Sequence, residues 1–354
     1  MRALGINYDT GFTSAGTTTH EPFDPAAVRR EMRVIRDELR CDAVRVTGGD
    51  PDRLETAARH AAEAGLEVWY SPFTNGLSPD ALLSFLSDSA DRAEKLRRTG
   101  GDVTFLTGSE ISLFTTGFLP GDTYTERQSL FADPQRLRDA LPGLPARINA
   151  FLAEAVAAVR ARFHGRVGYA SLPFEGVDWT PFDVVATDAG YRDASTADLL
   201  ESGLRALVSH GKPTAVTEFG CAPYRGAADI ASRADQVVAW DGRGRPAGFT
   251  RPVVRDEQEQ ADYLRELLGV YGKSGLDAAF VYTFARYDLP HDDTDDARDF
   301  DKASYGIVRV LPPGRTGTTR HPGPSWEPKT AFHTLAAYGR DRDRSPRTGP
   351  VPAG

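Results

Sequence analysis

Two glutamates stand where apolar, strand-like runs give way to loops. Glu110 closes Thr107-Gly108-Ser109-Glu110, after the run Val103 to Leu106. Glu218 lies in Val216-Thr217-Glu218-Phe219-Gly220. Glu is a poor strand former and is rarely buried without a partner. Either one alone also reads as a structural ion-pair partner. Both at matched positions, with Arg45 at the end of another apolar run, point to chemistry. Hydrolysis of a glycosidic bond needs such a pair: a carboxylic acid to protonate the leaving oxygen, and a carboxylate on the other face of the sugar. In retaining enzymes the two stand about 5–5.5 Å apart, and the second attacks the anomeric carbon.

Other reactive groups carry less. Ser109 has no base beside it in the sequence, so a nucleophilic serine is not expected. The stretch His291-Asp292-Asp293-Thr294-Asp295-Asp296, continuing to Asp301, lacks the sixth-place Gly and closing Glu of a calcium-binding EF-hand loop and reads as a solvated acidic loop. There is no HExxH, no clustered Cys/His set and no phosphate loop, so no metal or nucleotide cofactor is implied. Cys41 and Cys221 are too far apart in sequence to suggest a disulfide framework and read as buried thiols.

The elements that would position the carboxylates alternate in period. Short apolar runs occur at Ala3 to Tyr8, Cys41 to Val46, Leu66 to Tyr70, Val103 to Leu106, Val167 to Leu172, Phe182 to Thr187, Thr214 to Phe219 and Ala278 to Phe284. Helical patterns lie between them. Val28, Met32, Ile35 and Leu39 share one face, as do Ile148, Phe151, Leu152, Ala155 and Val159. Asp24-Pro25 and Ser78-Pro79 give a cap followed by Pro at the first helical position. Eight strands alternating with eight helices predict an α/β fold, a single (β/α)₈ TIM barrel over residues 1–339. The competing doubly wound sheet would carry a Gly-rich phosphate loop after strand one, where the chain reads Asn7-Tyr8-Asp9-Thr10-Gly11. The long connections follow strands four, seven and eight, which puts the extra chain on the face where such barrels hold their active sites. Residues 340–354, rich in Arg, Asp, Pro and Gly, read as a disordered tail.

At 354 residues the chain exceeds the roughly 250 of a minimal barrel, which leaves room for long loops. A net charge of −8 argues against nucleic acid or an anionic membrane surface as partner. The opening Met1-Arg2 runs straight into a strand with no secretory signal, which gives a cytoplasmic expectation.

Taken together, these motifs resemble the clan of retaining (β/α)₈ glycoside hydrolases whose acid/base Glu ends strand four and whose nucleophile Glu ends strand seven. Thr217-Glu218-Phe219-Gly220 matches the nucleophile signature, and Ser109-Glu110 resembles the Asn-Glu acid/base signature. Pro328-Lys329-Thr330-Ala331-Phe332 is similar to the start of the last helix in many members. The resemblance implies Glu218 as nucleophile and Glu110 as general acid/base. It also implies that Arg45 keeps Glu218 ionised and that Tyr191 hydrogen-bonds it. Asn7, Tyr8, Trp69, Asp188, Tyr282 and Arg286, near other strand ends, are expected to line a sugar site, for a carbohydrate or small glycoside. Two features depart from the clan. Ser109 replaces the Asn that bonds the sugar 2-hydroxyl, and strand eight reads Tyr282-Thr283-Phe284 without the usual Trp. They motivate a repurposed barrel catalysing a non-hydrolytic biosynthetic step as the alternative. A transglycosylase using the same covalent intermediate falls within the first reading, and a non-catalytic carbohydrate-binding barrel stays open because fold alone does not decide function.

Overall fold

In the computed structural model, which describes residues 1–14, 16–312, 315 and 325–344, the apolar runs form a closed barrel of eight parallel strands. They are β1 (Ala3–Asp9), β2 (Ala43–Gly48), β3 (Glu67–Pro72), β4 (Val103–Ser109), β5 (Arg166–Ser171), β6 (Val185–Thr187), β7 (Thr214–Phe219) and β8 (Ala278–Val281). Each pairs with its neighbour in sequence, and β8 pairs with β1.

The outer helices are α1 (Pro25–Asp37), α2 (Pro51–Glu63), α3 (Pro79–Arg98), α4 (Leu144–Arg160), α5 (Leu200–Val208), α6 (Glu257–Lys273) and α7 (Thr330–Arg344). The first three begin alike. Asp24, Asp50 and Ser78 each accept a backbone N–H of the first turn, and Pro follows at a position whose N–H would be unpaired anyway. The expected alternation fails once. Between β5 and β6 there is only a 3₁₀ turn, Pro173–Glu175. At the other end, α7 runs on to Arg344 instead of stopping at 339, because Arg342 bonds the Asp42 carboxylate and the carbonyl of Arg2. Residues 345–354, which complete the expected tail, lie outside the described residues.

Two apolar layers hold the barrel. A large one packs the outward strand faces against the helices. A small one fills the interior with Ala3, Ala43, Trp69, Leu106, Ala170, Val184, Ala186, Ala215, Ala278 and Phe280. Below it Glu67 joins Arg2 at 2.7 Å and Arg166 at 2.8 Å. The interior is therefore plugged toward the strands' N-terminal ends and polar toward their C-terminal ends.

The long connections supply the walls at that polar end. After β4 come short helices at Ile111–Phe114, Tyr124–Ser129 and Pro134–Ala140. After β7 come a 3₁₀ segment, Ala228–Val237, and a ribbon of Val238–Trp240 with Pro246–Phe249. After β8 a second ribbon pairs Val308–Val310 with Trp326–Pro328. Among the described residues no helix is long and apolar enough to cross a membrane.

Candidate active site

Arg45 on β2 is the hub of the polar end, with no exposed surface. Its Nη1 donates to Glu218 Oε1 at 3.0 Å and to Asp188 Oδ1 at 2.7 Å. Its Nη2 donates to Ser109 Oγ at 3.0 Å, and its Nε to Ser71 Oγ at 3.2 Å. Ser109 in turn donates to Asp188 Oδ2 at 2.5 Å. One guanidinium thus ties the ends of β2, β3, β4, β6 and β7 together. A buried cation requires such pairing, and a fork of N–H donors suits two carboxylates at once.

Glu218 is further held from β6. The Tyr191 hydroxyl donates to its Oε2 at 3.4 Å. This approach depends on Gly190, where a Cβ would stand 2.5 Å from the Glu218 carbonyl oxygen and 2.1 Å from a Val216 methyl. Tyr191 packs edge-on against Tyr305, which also meets Tyr282. Asn7 braces the same strand from inside, its Nδ2 donating to the carbonyls of Thr217 at 2.8 Å and Val281 at 3.2 Å.

Glu110 is placed differently. It sits in the left-handed region (φ 45°), directly before the helix Ile111–Phe114. Gly108, at φ +108°, lets the chain make this turn, and a Cβ there would press to 3.0 Å from Ile111. The Glu110 carboxyl takes no hydrogen bond from any described residue.

The two glutamates therefore ionise in different surroundings. Burial, then the charges of Asp188, Glu218 and Glu175, hold the Glu110 carboxyl well above the usual carboxylate range, with Arg45 opposing. Burial and Asp188 also raise Glu218, but Arg45 and Tyr191 both favour its charged form. Of the two, Glu110 keeps its proton to higher pH. Two carboxyls whose environments push them apart is the arrangement that separates an acid from a base.

Two of the residues expected at the site lie elsewhere. The period of two along β1 turns Asn7 inward and Tyr8 outward, so the Tyr8 hydroxyl reaches Glu31 on α1. Trp69 was expected near the end of its strand, but β3 continues to Pro72. The tryptophan therefore falls a layer down, buried against Phe280 and bonded to Glu67 at 2.9 Å, and Ser71 takes the place beside Arg45.

Arg286 and Tyr282 are at the mouth, but Arg286 is engaged. It grips Asp288 through Nε at 2.8 Å and Nη2 at 2.7 Å, and its Nη1 lies 3.6 Å from Asp235. Asp235, from the lid after β7, is next to Ala234, whose N–H donates to the Tyr305 hydroxyl at 2.8 Å. Tyr124, from the lid after β4, feels the charges of Asp235, Glu110 and Arg286. The three long connections thus converge on the carboxylate pair. Asp235, Asp288, Tyr124, Tyr305 and Glu175 escaped the sequence reading because they lie inside loops, where no periodicity marks an inward face.

Asp299 and Asp301 of the acidic stretch are matched by cations. Asp299 pairs with Arg255 at 2.8 Å, and Asp301 with Lys329 at 2.9 Å. Among the described residues no group of three His, Cys, Asp or Glu is placed to hold a metal ion.

The barrel is the fold of known glycoside hydrolases. A GH113 β-1,4-mannanase superposes with a TM-score of 0.60 at 16% identity, over 97% of this chain and 100% of that one. The GH113 β-mannanase of Alicyclobacillus acidocaldarius gives 0.56 at 16% identity, over 95% and 96%. A β-glucuronidase of Parabacteroides merdae gives 0.55 at 14% identity, over 96% of this chain but 36% of that larger one. At these identities the likeness is one of fold. The sequence matches no protein-family profile and no curated protein.

Proposed function

We propose that the chain is a retaining glycoside hydrolase in which Glu218 attacks the anomeric carbon and Glu110 serves first as acid, then as base. The contrast between the two carboxyls carries this reading. Glu218 is bonded by Arg45 and Tyr191, which favour a charged nucleophile. Glu110 is unbonded and surrounded by negative charge, which favours the protonated acid. Attack by Glu218 forms a glycosyl ester as Glu110 protonates the leaving oxygen. Glu110 then takes a proton from water, which displaces Glu218 from the opposite side. Incubation with an activated 2-deoxy-2-fluoro glycosyl fluoride is expected to leave one sugar on the peptide containing Glu218. The first product of turnover, read by proton NMR, is expected to keep the anomeric configuration of the substrate. An inverted product, or a label on another residue, would sink the double-displacement mechanism.

The charge balance supports a glycone without an anionic group. Among the described residues Glu218, Asp188, Asp235 and Asp288 form ion pairs with Arg45 and Arg286, and both guanidinium groups are thereby engaged by carboxylates. Among the described residues no cation is placed to pair with a uronic acid there, and an unmatched like charge costs several kcal/mol. The mannanase neighbours are thus a better guide to substrate than the glucuronidase. p-Nitrophenyl β-mannoside or β-glucoside is expected to exceed the β-glucuronide in kcat/KM by at least about 100-fold. Preferred turnover of the glucuronide would overturn this specificity and leave the mechanism standing.

A further inference from the structure

The turn that aims Glu110 rests on a buried carboxylate. Glu175, fully buried, belongs to the 3₁₀ turn that replaces the helix after β5. Its Oε1 accepts the N–H of Ser112 at 3.0 Å. Its Oε2 accepts the N–H of Leu172 at 2.9 Å and the hydroxyl of Tyr169 at 2.8 Å. Tyr169, having directed its one proton to Glu175, accepts the N–H of Ile111 at 2.9 Å. Ile111 and Ser112 directly follow Glu110, and their N–H groups open a helix, where no intrahelical partner exists for them. β5 and the turn after it therefore grip the base of the Glu110 turn through one phenol and one carboxylate.

We propose that Glu175 is the positioning residue for Glu110: with Tyr169 it fixes the Ile111–Ser112 backbone that aims the acid, and it places a fixed charge behind that acid. The proposal takes Glu110 to be the general acid, as in the reading above. Glu175 is suited to stay charged. Burial raises it, but the donors from Ser112, Leu172 and Tyr169 all favour its ionised form. The strongest influences on Glu110 among the described residues are Asp188 from the end of β6, Glu218 from β7 and Glu175 from the β5 turn, which raise it, and Arg45 from β2, which opposes them. The hydroxyls of Tyr169 and Tyr124 lie within its field. Removing the Glu175 charge removes one of the repulsions that keep Glu110 protonated, so its midpoint must fall.

The test is a titration by carbon NMR of protein labelled at its glutamate side-chain carboxyls, with the Glu110 signal assigned by its loss in E110Q. In E175Q the amide keeps the size of the side chain and the oxygen for part of the contacts. The Glu110 midpoint is expected to fall by about one pH unit, and the alkaline limb of kcat/KM on an aryl glycoside to move with it. An unmoved midpoint in a folded variant overturns the proposal, because a purely structural role would not set it. Should E175Q not fold, Tyr169→Phe carries the test. Freeing the Ile111 N–H is expected to lower kcat about 10-fold at constant KM, and wild-type kinetics there would overturn the positioning role. A shifted midpoint in a protein that cleaves no aryl glycoside would uphold this inference and reject the glycosidase reading instead.

Discussion

Glu218→Gln is expected to lower kcat on an aryl glycoside by at least about 10⁴-fold, since the bond-forming atom is lost and positioning alone remains. The fold should survive. Arg45 keeps Asp188 at 2.7 Å and Ser109 at 3.0 Å, so its charge is not left unpaired. Far-ultraviolet circular dichroism and the thermal midpoint check this. Glu218→Ala offers a sharper test, because it opens room for a small anion beside Arg45. Azide entering there attacks the sugar from the side that Glu218 occupied and should yield the inverted glycosyl azide. Activity within about 10-fold of wild type in the Gln variant would reject Glu218 as nucleophile.

Glu110→Gln is the second large effect, and it splits by leaving group. An alkyl or sugar leaving group needs the proton and should lose about 10²–10⁴-fold in kcat/KM. A dinitrophenolate departs without help and should lose little in that step. Azide then attacks the covalent intermediate from the Glu110 side and should give the retained azide, opposite to the Glu218→Ala product. Stability supplies an independent readout. The folded protein raises the Glu110 carboxyl above its unfolded value. The stability this group contributes is therefore present at low pH and is lost as pH rises through the folded value. E110Q cannot ionise, so its thermal midpoint should draw ahead of wild type as pH rises through that range. A difference independent of pH would mean that Glu110 is not held protonated by its surroundings.

The same surroundings set the pH profile. Both limbs of kcat/KM belong to carboxyls raised by burial. The acid limb follows Glu218, which must be ionised, and the alkaline limb follows Glu110, which must be protonated. The profile is therefore displaced upward from that of an ordinary carboxylate pair. Arg45 and Tyr191 keep Glu218 the lower of the two.

Much of the scaffold was legible in the sequence because its signals are local. Short apolar runs marked the strands, the spacing of Val28, Met32, Ile35 and Leu39 marked α1, and Asp24-Pro25 and Ser78-Pro79 marked helix starts that the backbone honours. These depend on steric and hydrogen-bonding rules acting within a few residues. The Glu motifs were legible for a related reason: a charged side chain at the edge of an apolar run conflicts with its neighbours unless the tertiary structure resolves the conflict.

What the sequence could not determine was which side chains meet. Trp69 and Arg45 pair in register, yet one plugs the interior and the other faces the cleft, because strand tilt places neighbouring positions at different depths. The missing helix after β5 left Glu175 in an unpatterned stretch, and only the closed barrel brings it under Glu110. Asp235, Tyr124 and Arg286 come from three separate loops, and their mutual field exists only once those loops close over the same strands. Local sequence fixes period and caps because those forces act between near neighbours. The relative ionisation of Glu110 and Glu218 is a long-range property, set by burial and by charges from β2, β6 and the β5 turn, and it therefore belongs to the tertiary structure alone.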